Sequence, residues 1–416
     1  MGDEPRPLAP EDRGILDLEG PTIAGHTCKV VSIAGATDRD ALRAAVAERL
    51  VGAPLLMRRL GGTDDLPAWV VDDAFDVREH VERVEVDAPL GREELRAEVA
   101  RLFEQRLDRG RPLWKVDLVA TRTGTALVWR IHHALADGTT AMRYARALLW
   151  DPAAEAEAEP ARAASHDEAR RRRHLAGFLH RELSRSRGGS PFDGRIGRRR
   201  EIGLASTSLP LLHDAARSLA GATLNDAVLS VVAGGLRRWL IEHHGPLGDV
   251  RARVPVSLHH DGDDAGNRDS FFSVALPLDE PDPVVRLRAV REATTLRKDD
   301  RDAETMDALL RELTHVPPRL RDFAQRVEAS PRRFAVSVSN VPGPRRPVRV
   351  LGAPVRALHS IAEIGERHAL RVAAVSMGDM LCFGFCADPG IVDGVEQMAA
   401  GAELEAAALV RAAQSA

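Results

Sequence analysis

Apolar residues along the first half of the chain repeat with two alternating spacings. Apolar residues three and four positions apart recur in the segments 38–50, 92–107 and 137–150, whereas short apolar runs occupy 114–120 and 126–132. The first spacing is typical of one face of a helix, and short apolar runs bounded by turn residues are typical of strands. We therefore predict a mixed α/β unit in this half.

The second half shows the same alternation, so we predict a second α/β unit there. The segments with helical spacing are 209–220, 224–243, 283–297, 318–328 and 392–413, and the strand-like segments are 251–258, 270–278, 333–340, 370–376 and 380–387.

A charged segment separates the two units. Residues 151–168 contain few apolar residues other than alanine, which predicts a linker. Beyond it, Leu175, Phe178, Leu179 and Leu183 recur at helical spacing, and arginines occupy the other face of the predicted helix. Such a basic amphipathic helix either lies on an anionic membrane surface or packs its apolar stripe on the body of the protein. The sequence leaves both interpretations open.

Composition restricts the class of protein. The 416 residues carry 58 basic and 62 acidic side chains, and this near-balance argues against a nucleic-acid-binding protein. Three cysteines exclude a disulfide scaffold and favour a reducing compartment. The chain has no apolar stretch of about 18 residues, and its acidic, proline-rich beginning lacks the apolar core of a signal peptide. We expect a cytoplasmic protein.

The strongest candidate for chemistry lies where the apolar run 126–132 ends. His132 and His133 are followed, after three residues, by Asp137 and Gly138. Imidazole is the side chain best suited to moving protons near neutral pH. Neighbouring residues of a strand point to opposite faces, so only one histidine can face a given cleft, and the pair cannot easily bind one metal ion. A pair of buried, hydrogen-bonded histidines without a catalytic role is the alternative.

The pattern His-His-x-x-x-Asp-Gly is the active-site motif of the CoA-dependent acyltransferase superfamily, which includes chloramphenicol acetyltransferase and peptide-synthetase condensation domains. Six further sequence blocks resemble one family within this superfamily. From about residue 8 to about residue 395, the chain resembles the bacterial wax ester synthase/diacylglycerol acyltransferase family. In chain order the blocks are LAPEDRGILDLEG near the start, 75–91, LDRGRPLWKVDLV at 107–119, 221–240, 254–278 and VSNVPGP at 338–344.

This resemblance implies an α/β fold of two chloramphenicol-acetyltransferase-like, condensation-domain-like subdomains with a substrate tunnel between them. We place the N-terminal subdomain at 1–150, a charged crossover at 151–190 and the C-terminal subdomain at 191–416. Acyl-CoA enters the tunnel from one side and the alcohol acceptor from the other. The resemblance implies no cofactor, since acyl-CoA is a substrate, and no metal.

The resemblance makes His133 the general base, which takes the proton of the acceptor hydroxyl while the oxygen attacks the thioester. No acyl-enzyme is expected, because the chain has no Gly-x-Ser-x-Gly motif. His132, Asp137 and Gly138 complete the motif, and Asp137 is expected to pair with an arginine. Arg58 and Arg59 are the candidates for that arginine, and the candidates for oxyanion stabilisation are Ser337, Ser339 and Asn340.

Other residues of the matching blocks have mainly structural interpretations. A strand containing Pro112, Leu113 and Trp114 is expected to pack in the core rather than bind substrate. Asn225 and Asp226 are expected to cap a helix or to organise the interface between the subdomains. Asn267 belongs to the block at 254–278, and the His-His-Asp-Gly sequence at 259–262 lacks the spacer of the motif. The family's Ser-Tyr pair is Ser376-Met377 here, and His259 replaces an arginine.

Three functions remain open. The first is transfer of a long-chain acyl group from acyl-CoA to diacylglycerol or a fatty alcohol. The second is transfer to another lipid or polyketide alcohol, and the third is a non-catalytic lipid-binding protein of the same fold. Because these substrates are insoluble, we expect a peripheral association with the inner membrane or with lipid droplets. The sequence predicts no oligomeric state.

Overall fold

The computed structural model describes residues 4–63, 66–152, 190–248, 250–257, 269–299 and 334–416. Within these ranges, the strands form two six-stranded sheets and one three-stranded sheet. The helices are α1 Pro10–Leu18, α2 Arg39–Arg49, α3 Val77–His80, α4 Arg92–Phe103, α5 Gly138–Leu148, α6 Leu209–Ala220, α7 Leu224–Glu242, α8 Pro283–Asp299 and α9 Val395–Gln414. The strands are β1 Arg6–Pro7, β2 His26–Ala34, β3 Arg58–Gly62, β4 Pro67–Val71, β5 Val81–Arg83, β6 Trp114–Thr121, β7 Gly124–His132, β8 Glu201–Ser208, β9 Arg251–Ser257, β10 Asp269–Ala275, β11 Val336–Val341, β12 Arg349–Val350, β13 Ala353–Ala362, β14 Leu370–Met377 and β15 Met380–Ala387.

The first large sheet carries the histidine pair. Its strand order is β12-β13-β2-β7-β6-β5, and β7 lies between β2 and β6 in antiparallel pairing. On one face, Trp129 packs with Leu42 of α2 and Ala145 of α5. On the other face, Val128 packs with Phe103 of α4. Because both faces are covered, the strand that ends at the histidines is held on all sides.

The second large sheet has the order β10-β9-β11-β14-β15-β8. Val336 and Val338 of β11 pack with Leu229 of α7, so the helical layer of α6–α9 covers one face of this sheet. A Cβ on Gly235 of α7 would lie 2.5 Å from the carbonyl oxygen of Met398 on α9, so glycine allows these two helices to approach closely. The other face of the sheet turns toward the N-terminal half.

The first sheet is completed by residues from far along the chain. Strand β13, at 353–362, pairs antiparallel with β2, although β11 and β14, which flank β12 and β13 in sequence, belong to the second sheet. It also packs across β14 and β15, where a Cβ on Gly384 would collide with the carbonyl oxygen of Ser360. The predicted domain boundaries stay a prediction, but the pairing of strands shows that the two halves interlock.

A buried ion pair of the C-terminal half binds the N-terminal half near this crossing. Arg200 Nε lies 2.9 Å from Glu363 Oε1, with the two side chains only 2% and 9% exposed. The other carboxylate oxygen of Glu363 accepts the backbone N–H of Ala24 at 3.0 Å, and Arg200 donates to the carbonyl of Thr22. These contacts hold the start of β2 against the C-terminal half.

The α/β fold class predicted from the sequence is confirmed, and most predicted elements are present within about three residues of their predicted bounds. Helices α1 and α3 and strands β1–β5, β8, β12 and β13 were not predicted individually. The predicted helices at 168–187 and 318–328, the sequence at 259–262 and Asn267 lie outside the described residues. In the described parts of the chain, no single helix has the length and apolar composition to cross a membrane. Helices α6 and α7 meet these two criteria only when taken together, and the pair is bent by 95°.

Candidate active site

The chain turns immediately after β7, and backbone hydrogen bonds fix this turn. The N–H of His132 donates to the carbonyl of Leu113 at 2.9 Å. The N–H of His133 donates to the carbonyl of Gly25, also at 2.9 Å. The end of β7 is therefore held by the residue before β6 on one side and by the residue before β2 on the other.

The two histidine side chains occupy different surroundings. His132 is only 1% exposed, whereas His133 keeps part of its surface accessible. Nδ1 of His132 accepts the N–H of Ala134 at 3.1 Å, so the proton of the neutral ring is on Nε2. That nitrogen lies 3.4 Å from Oε2 of Glu19. His132 thus points into the protein and toward a carboxylate.

Glu19 is the buried centre of a small network whose two arginines are partly exposed. Its side chain is 1% exposed and also contacts Arg106 and Arg109, with 2.8 Å between Arg109 Nε and Glu19 Oε2. Burial alone would raise its pKa, but hydrogen bonds from His132, Arg109 and Arg106 outweigh burial and lower the pKa to about 2. Glu19 therefore remains ionised and keeps His132 oriented. The sequence did not reveal this role, because both arginines are more than 80 residues away.

Gly25 completes the surroundings of His132. Its φ of +73° lies in the left-handed region, and a Cβ at this position would lie 2.5 Å from Nε2 of His132. Only glycine satisfies both conditions without displacing the ring. This requirement was also missed in the sequence, since a glycine before a strand is common in turns.

His133 has the properties of a neutral base. Burial of its ring and the nearby charge of Arg371 lower its pKa, Asp137 partly opposes them, and the result is a pKa of about 4. The imidazole is therefore unprotonated near neutral pH and can accept a proton. The residue as a whole keeps part of its surface exposed.

Asp137 begins helix α5. It is 2% exposed, and its Oδ1 accepts the N–H of Thr140 at 2.6 Å, as an N-cap residue does. Gly138 follows at the point where α5 meets β11, and a Cβ there would lie 3.1 Å from Cγ2 of Val341. The carboxylate of Asp137 thereby fixes the turn that carries His133.

The arginine partner expected for Asp137 stays a prediction. Arg58 donates to the carbonyl oxygens of Glu4 and Trp69, and Arg59 lies 3.9 Å from Asp72. These contacts belong to the three-stranded sheet of β1, β4 and β3.

The three oxyanion candidates lie on β11 and divide between its faces. Val336 and Val338 face the helical layer, so alternation turns Ser337 and Ser339 toward the N-terminal half. Asn340, near the end of the strand, lies on the same face as the two valines. The geometry therefore favours the two serines over Asn340 as groups that face the space between the halves.

The Pro-Leu-Trp block is buried. Pro112, Leu113 and Trp114 are all inaccessible, and Trp114 donates from Nε1 to the carbonyl of Leu56 at 2.7 Å. Since Leu113 also accepts the N–H of His132, the block supports the end of β7.

The Asn-Asp pair lies at the start of α7. Asp226 forms a capping box with Thr223, and its Oδ1 accepts the hydroxyl of Thr294 on α8 at 2.6 Å. Asn225 is partly exposed at the same helix start. Asp226 thus caps α7 and joins it to α8.

Other reactive side chains are buried. All three cysteines are free and inaccessible, and burial raises the pKa of Cys28 to about 12 and of Cys382 to about 11. Both thiols are therefore protonated and poor nucleophiles. Among the residues that the structure describes, no three His, Cys, Asp or Glu side chains form a group that could hold a metal ion.

Comparison with protein-family models gives two matches. Residues 8–189 match the wax ester synthase/diacylglycerol acyltransferase catalytic domain. Residues 265–409 match the C-terminal domain of the same family. The histidine pair and Glu19 lie in the first match, and strand β11 lies in the second.

Curated relatives cover most of the chain. A probable diacylglycerol O-acyltransferase of Mycobacterium tuberculosis is 28% identical over 411 residues, with 90% of this chain and 89% of the relative covered. The O-acyltransferase WSD of Acinetobacter baylyi is 26% identical over 360 residues, covering 77% and 78% of the two chains.

Solved structures share the fold. The wax ester synthase/diacylglycerol acyltransferase of Marinobacter aquaeolei superposes with a TM-score of 0.73 at 24% identity, covering 98% of this chain and 100% of the other. The first condensation domain of the CDA synthetase gives a TM-score of 0.60 at 18% identity, covering 99% and 97%. These likenesses agree with the two-subdomain fold that the sequence resemblance implied.

Proposed function

Because the chain belongs to the wax ester synthase/diacylglycerol acyltransferase family and is an acyltransferase, we propose that it moves a long-chain acyl group from acyl-CoA to diacylglycerol, to a fatty alcohol, or to both. The names of its relatives support this choice of acceptors. The observation that carries the proposal is the state of His133, a partly exposed residue that follows β7 and whose ring has a pKa lowered to about 4.

The proposed reaction proceeds directly between the two substrates. Neutral His133 takes the proton of the acceptor hydroxyl while the hydroxyl oxygen forms a bond to the thioester carbonyl carbon. The tetrahedral intermediate then collapses, the carbon–sulfur bond breaks, and the proton on His133 passes to the CoA thiolate. General-base catalysis of this kind typically contributes about 10²–10⁴-fold.

Two groups of residues support His133 in this proposal. On one side, Glu19 holds His132, whose backbone adjoins that of the base. On the other, the hydroxyl of Ser337 or Ser339 is proposed to donate to the oxyanion, and one such donor contributes about 3–4 kcal/mol. The alternation of β11 favours these two residues, because they share the face that turns toward the N-terminal half.

The proposal includes no cofactor, since the thioester of acyl-CoA supplies the activation. It places the protein in the cytoplasm, in peripheral contact with the inner membrane or a lipid droplet, because the acceptors are insoluble in water. Removal of residues 168–187 is expected to weaken binding to anionic liposomes. Unchanged binding would remove this segment as the contact.

The experiment measures CoA thiol release from palmitoyl-CoA with diacylglycerol and with hexadecanol. We expect His133→Ala to lower acceptor-dependent release by about 10²–10⁴-fold. His213→Ala is the matched control, because that histidine side chain is 43% exposed on α6. Release without an acceptor would indicate a thioester hydrolase. Absent release from a folded parent that binds acyl-CoA would indicate another acceptor or a lipid-binding protein.

A further inference from the structure

A short stretch of chain before β2 contacts both histidines of the motif. Residues 19–25 join α1 to β2, and we call them the 19–25 connection. At its start, Oε2 of Glu19 lies 3.4 Å from Nε2 of His132. At its end, the carbonyl oxygen of Gly25 accepts the N–H of His133 at 2.9 Å. The position of this connection therefore helps to set the position of the candidate base.

The 19–25 connection forms neither helix nor strand. Within it, the N–H of Gly20 donates to the carbonyl oxygen of Ile23 at 2.9 Å, which closes one turn. The other backbone groups of such a segment need partners outside a regular ladder of hydrogen bonds. For Thr22 and Ala24, these partners lie 178 and 339 positions away in the sequence.

The two distant partners are Arg200 and Glu363. Oε2 of Glu363 accepts the N–H of Ala24 at 3.0 Å, and Arg200 donates from Nη2 to the carbonyl oxygen of Thr22. Ala24 is the residue immediately before the one whose carbonyl accepts the N–H of the candidate base. The C-terminal half thus fixes the backbone of the 19–25 connection next to the point where it holds the base.

The carboxylate and the guanidinium are themselves held in one orientation. Oε1 of Glu363 accepts Nε of Arg200 at 2.9 Å and the N–H of Ile364 at 3.1 Å. Nη1 of Arg200 donates to the carbonyl oxygens of Gly197 and Arg199, each at 2.9 Å. Both side chains are buried. A buried ion pair with these additional hydrogen bonds has little freedom to move.

The main chain of Glu363 provides a second link to the base. Its carbonyl oxygen accepts a hydrogen bond from Arg371 at 3.0 Å. Burial of the ring, and after it the charge of Arg371, lowers the pKa of His133. Glu363 therefore contacts two groups that act on His133: the backbone before Gly25 and the guanidinium of Arg371.

A second buried ion pair offers a matched comparison. Arg286 of α8 and Glu405 of α9 have side chains that are each 2% exposed, and Nε of the arginine lies 3.1 Å from Oε1 of the carboxylate. This pair joins two helices of the layer that covers the second sheet, on the face turned away from the N-terminal half. Loss of its charge measures the general cost of disturbing a buried ion pair in this fold.

We propose that Glu363 is a positioning residue for His133, because it fixes the 19–25 connection from which Gly25 binds the backbone of the base. The inference rests on the proposed acyl transfer by His133. The action of Glu363 is indirect: it sets where the imidazole stands relative to the acceptor hydroxyl and the thioester. A displacement of about 1 Å is enough to lower a rate by about 10²-fold. The base of the N-terminal half is thus held in place by the C-terminal half.

The kinetic test compares Glu363→Gln and Glu363→Ala with Glu405→Gln and Glu405→Ala in the full-length protein. Glutamine keeps an oxygen that can accept the N–H of Ala24, whereas alanine removes it. For CoA release from palmitoyl-CoA with diacylglycerol or hexadecanol, we expect kcat to fall about 10-fold in Glu363→Gln and about 100-fold in Glu363→Ala, with little change in KM. The Glu405 variants should lose a similar amount of stability toward urea and keep the kcat of the parent.

Hydrogen exchange of two neighbouring amides tests the proposal without turnover. The N–H of His133 is bonded to Gly25 and that of His132 to Leu113, so only the first depends on the 19–25 connection. The ratio of the His133 exchange rate to the His132 exchange rate should rise about 10-fold in Glu363→Ala. In Glu405→Ala, the ratio should stay at the value of the parent.

Equal losses of kcat in the Glu363 and Glu405 variants would overturn the proposal, because the effect would then follow stability alone. An unchanged exchange ratio in Glu363→Ala would overturn it as well. If the parent shows no turnover while the ratio rises in Glu363→Ala, the proposed function fails and the placement of His133 by Glu363 holds. If Glu363→Ala does not fold, Glu363→Gln provides both measurements, with a smaller change expected in the same direction.

Discussion

The two sides of the histidine pair are built in opposite ways. On the side of His132, the buried carboxylate of Glu19 lies 3.4 Å from the ring and forms ion pairs with two arginines. On the side of His133, burial of the ring and then the charge of Arg371 lower its pKa, and Asp137 opposes them in part. The comparison teaches that neighbouring histidines separate two tasks: one fixes the position of the turn, and the other is kept neutral for proton transfer.

The largest expected effect tests the packing on the His132 side. Gly25→Ala adds a Cβ against Nε2 of His132 and strains a φ of +73°, so we expect the free energy of unfolding to fall by about 2–4 kcal/mol. Gly35→Ala is the control, because its φ is +78° but no atom lies within 4 Å of the added Cβ. Urea denaturation of both variants measures the difference, and equal losses would show that backbone strain alone matters at Gly25.

The next effect tests whether Glu19 positions the pair. Glu19→Gln removes the charge that attracts the ring of His132, and we expect kcat to fall about 100-fold with little change in KM for palmitoyl-CoA. Glu82→Gln provides the control, since Glu82 is 47% exposed beside Lys115. Steady-state kinetics of both variants measure kcat and KM. A change confined to KM would place Glu19 in substrate binding instead.

A smaller effect concerns pH. Because the pKa of His133 is lowered to about 4, kcat/KM should be constant above about pH 5 and should fall as the ring is protonated near pH 4. Glu19, with a pKa of about 2, remains ionised across this range. Arg371→Gln removes a cation and should shift the acid limb to higher pH. A pH–rate profile with an acid limb near pH 6.5 would contradict the inferred surroundings of His133.

The smallest effect separates capping from catalysis. Asp137→Ala and Asp38→Ala each remove an N-cap, at α5 and α2, and each should lower the free energy of unfolding by about 1 kcal/mol. Only the first should also lower kcat, because only α5 follows the turn that carries His133. Thermal unfolding and CoA release, measured together, provide the comparison. Equal activity of the two variants would show that the cap of α5 has no effect on the base.

The sequence predicted the local elements well, because their spacing depends only on nearby residues. The strand ending at His132 and the helix beginning after Asp137 are both present as predicted. Strand β13 was not predicted, since its pairing with β2 joins residues more than 300 positions apart. Such pairings have no signature in a local pattern of apolar residues.

The site was predicted unevenly for the same reason. The motif residues are adjacent in sequence, so a short pattern identifies them. Glu19 and Gly25 act on His132 from a distant segment, and nothing in their own neighbourhood distinguishes them from a helix end and a turn.

The late position of β13 has a consequence for synthesis. A nascent chain leaves the ribosome from its N-terminus, so β2 has no partner on one edge until residues 353–362 have emerged. An unpaired strand edge is a template for aggregation, and this one stays open while most of the polypeptide is translated. Chains that stop before β13 are therefore expected to be substrates for chaperones, and the edge of β2 opposite β7 is paired only after residues 353–362 have emerged.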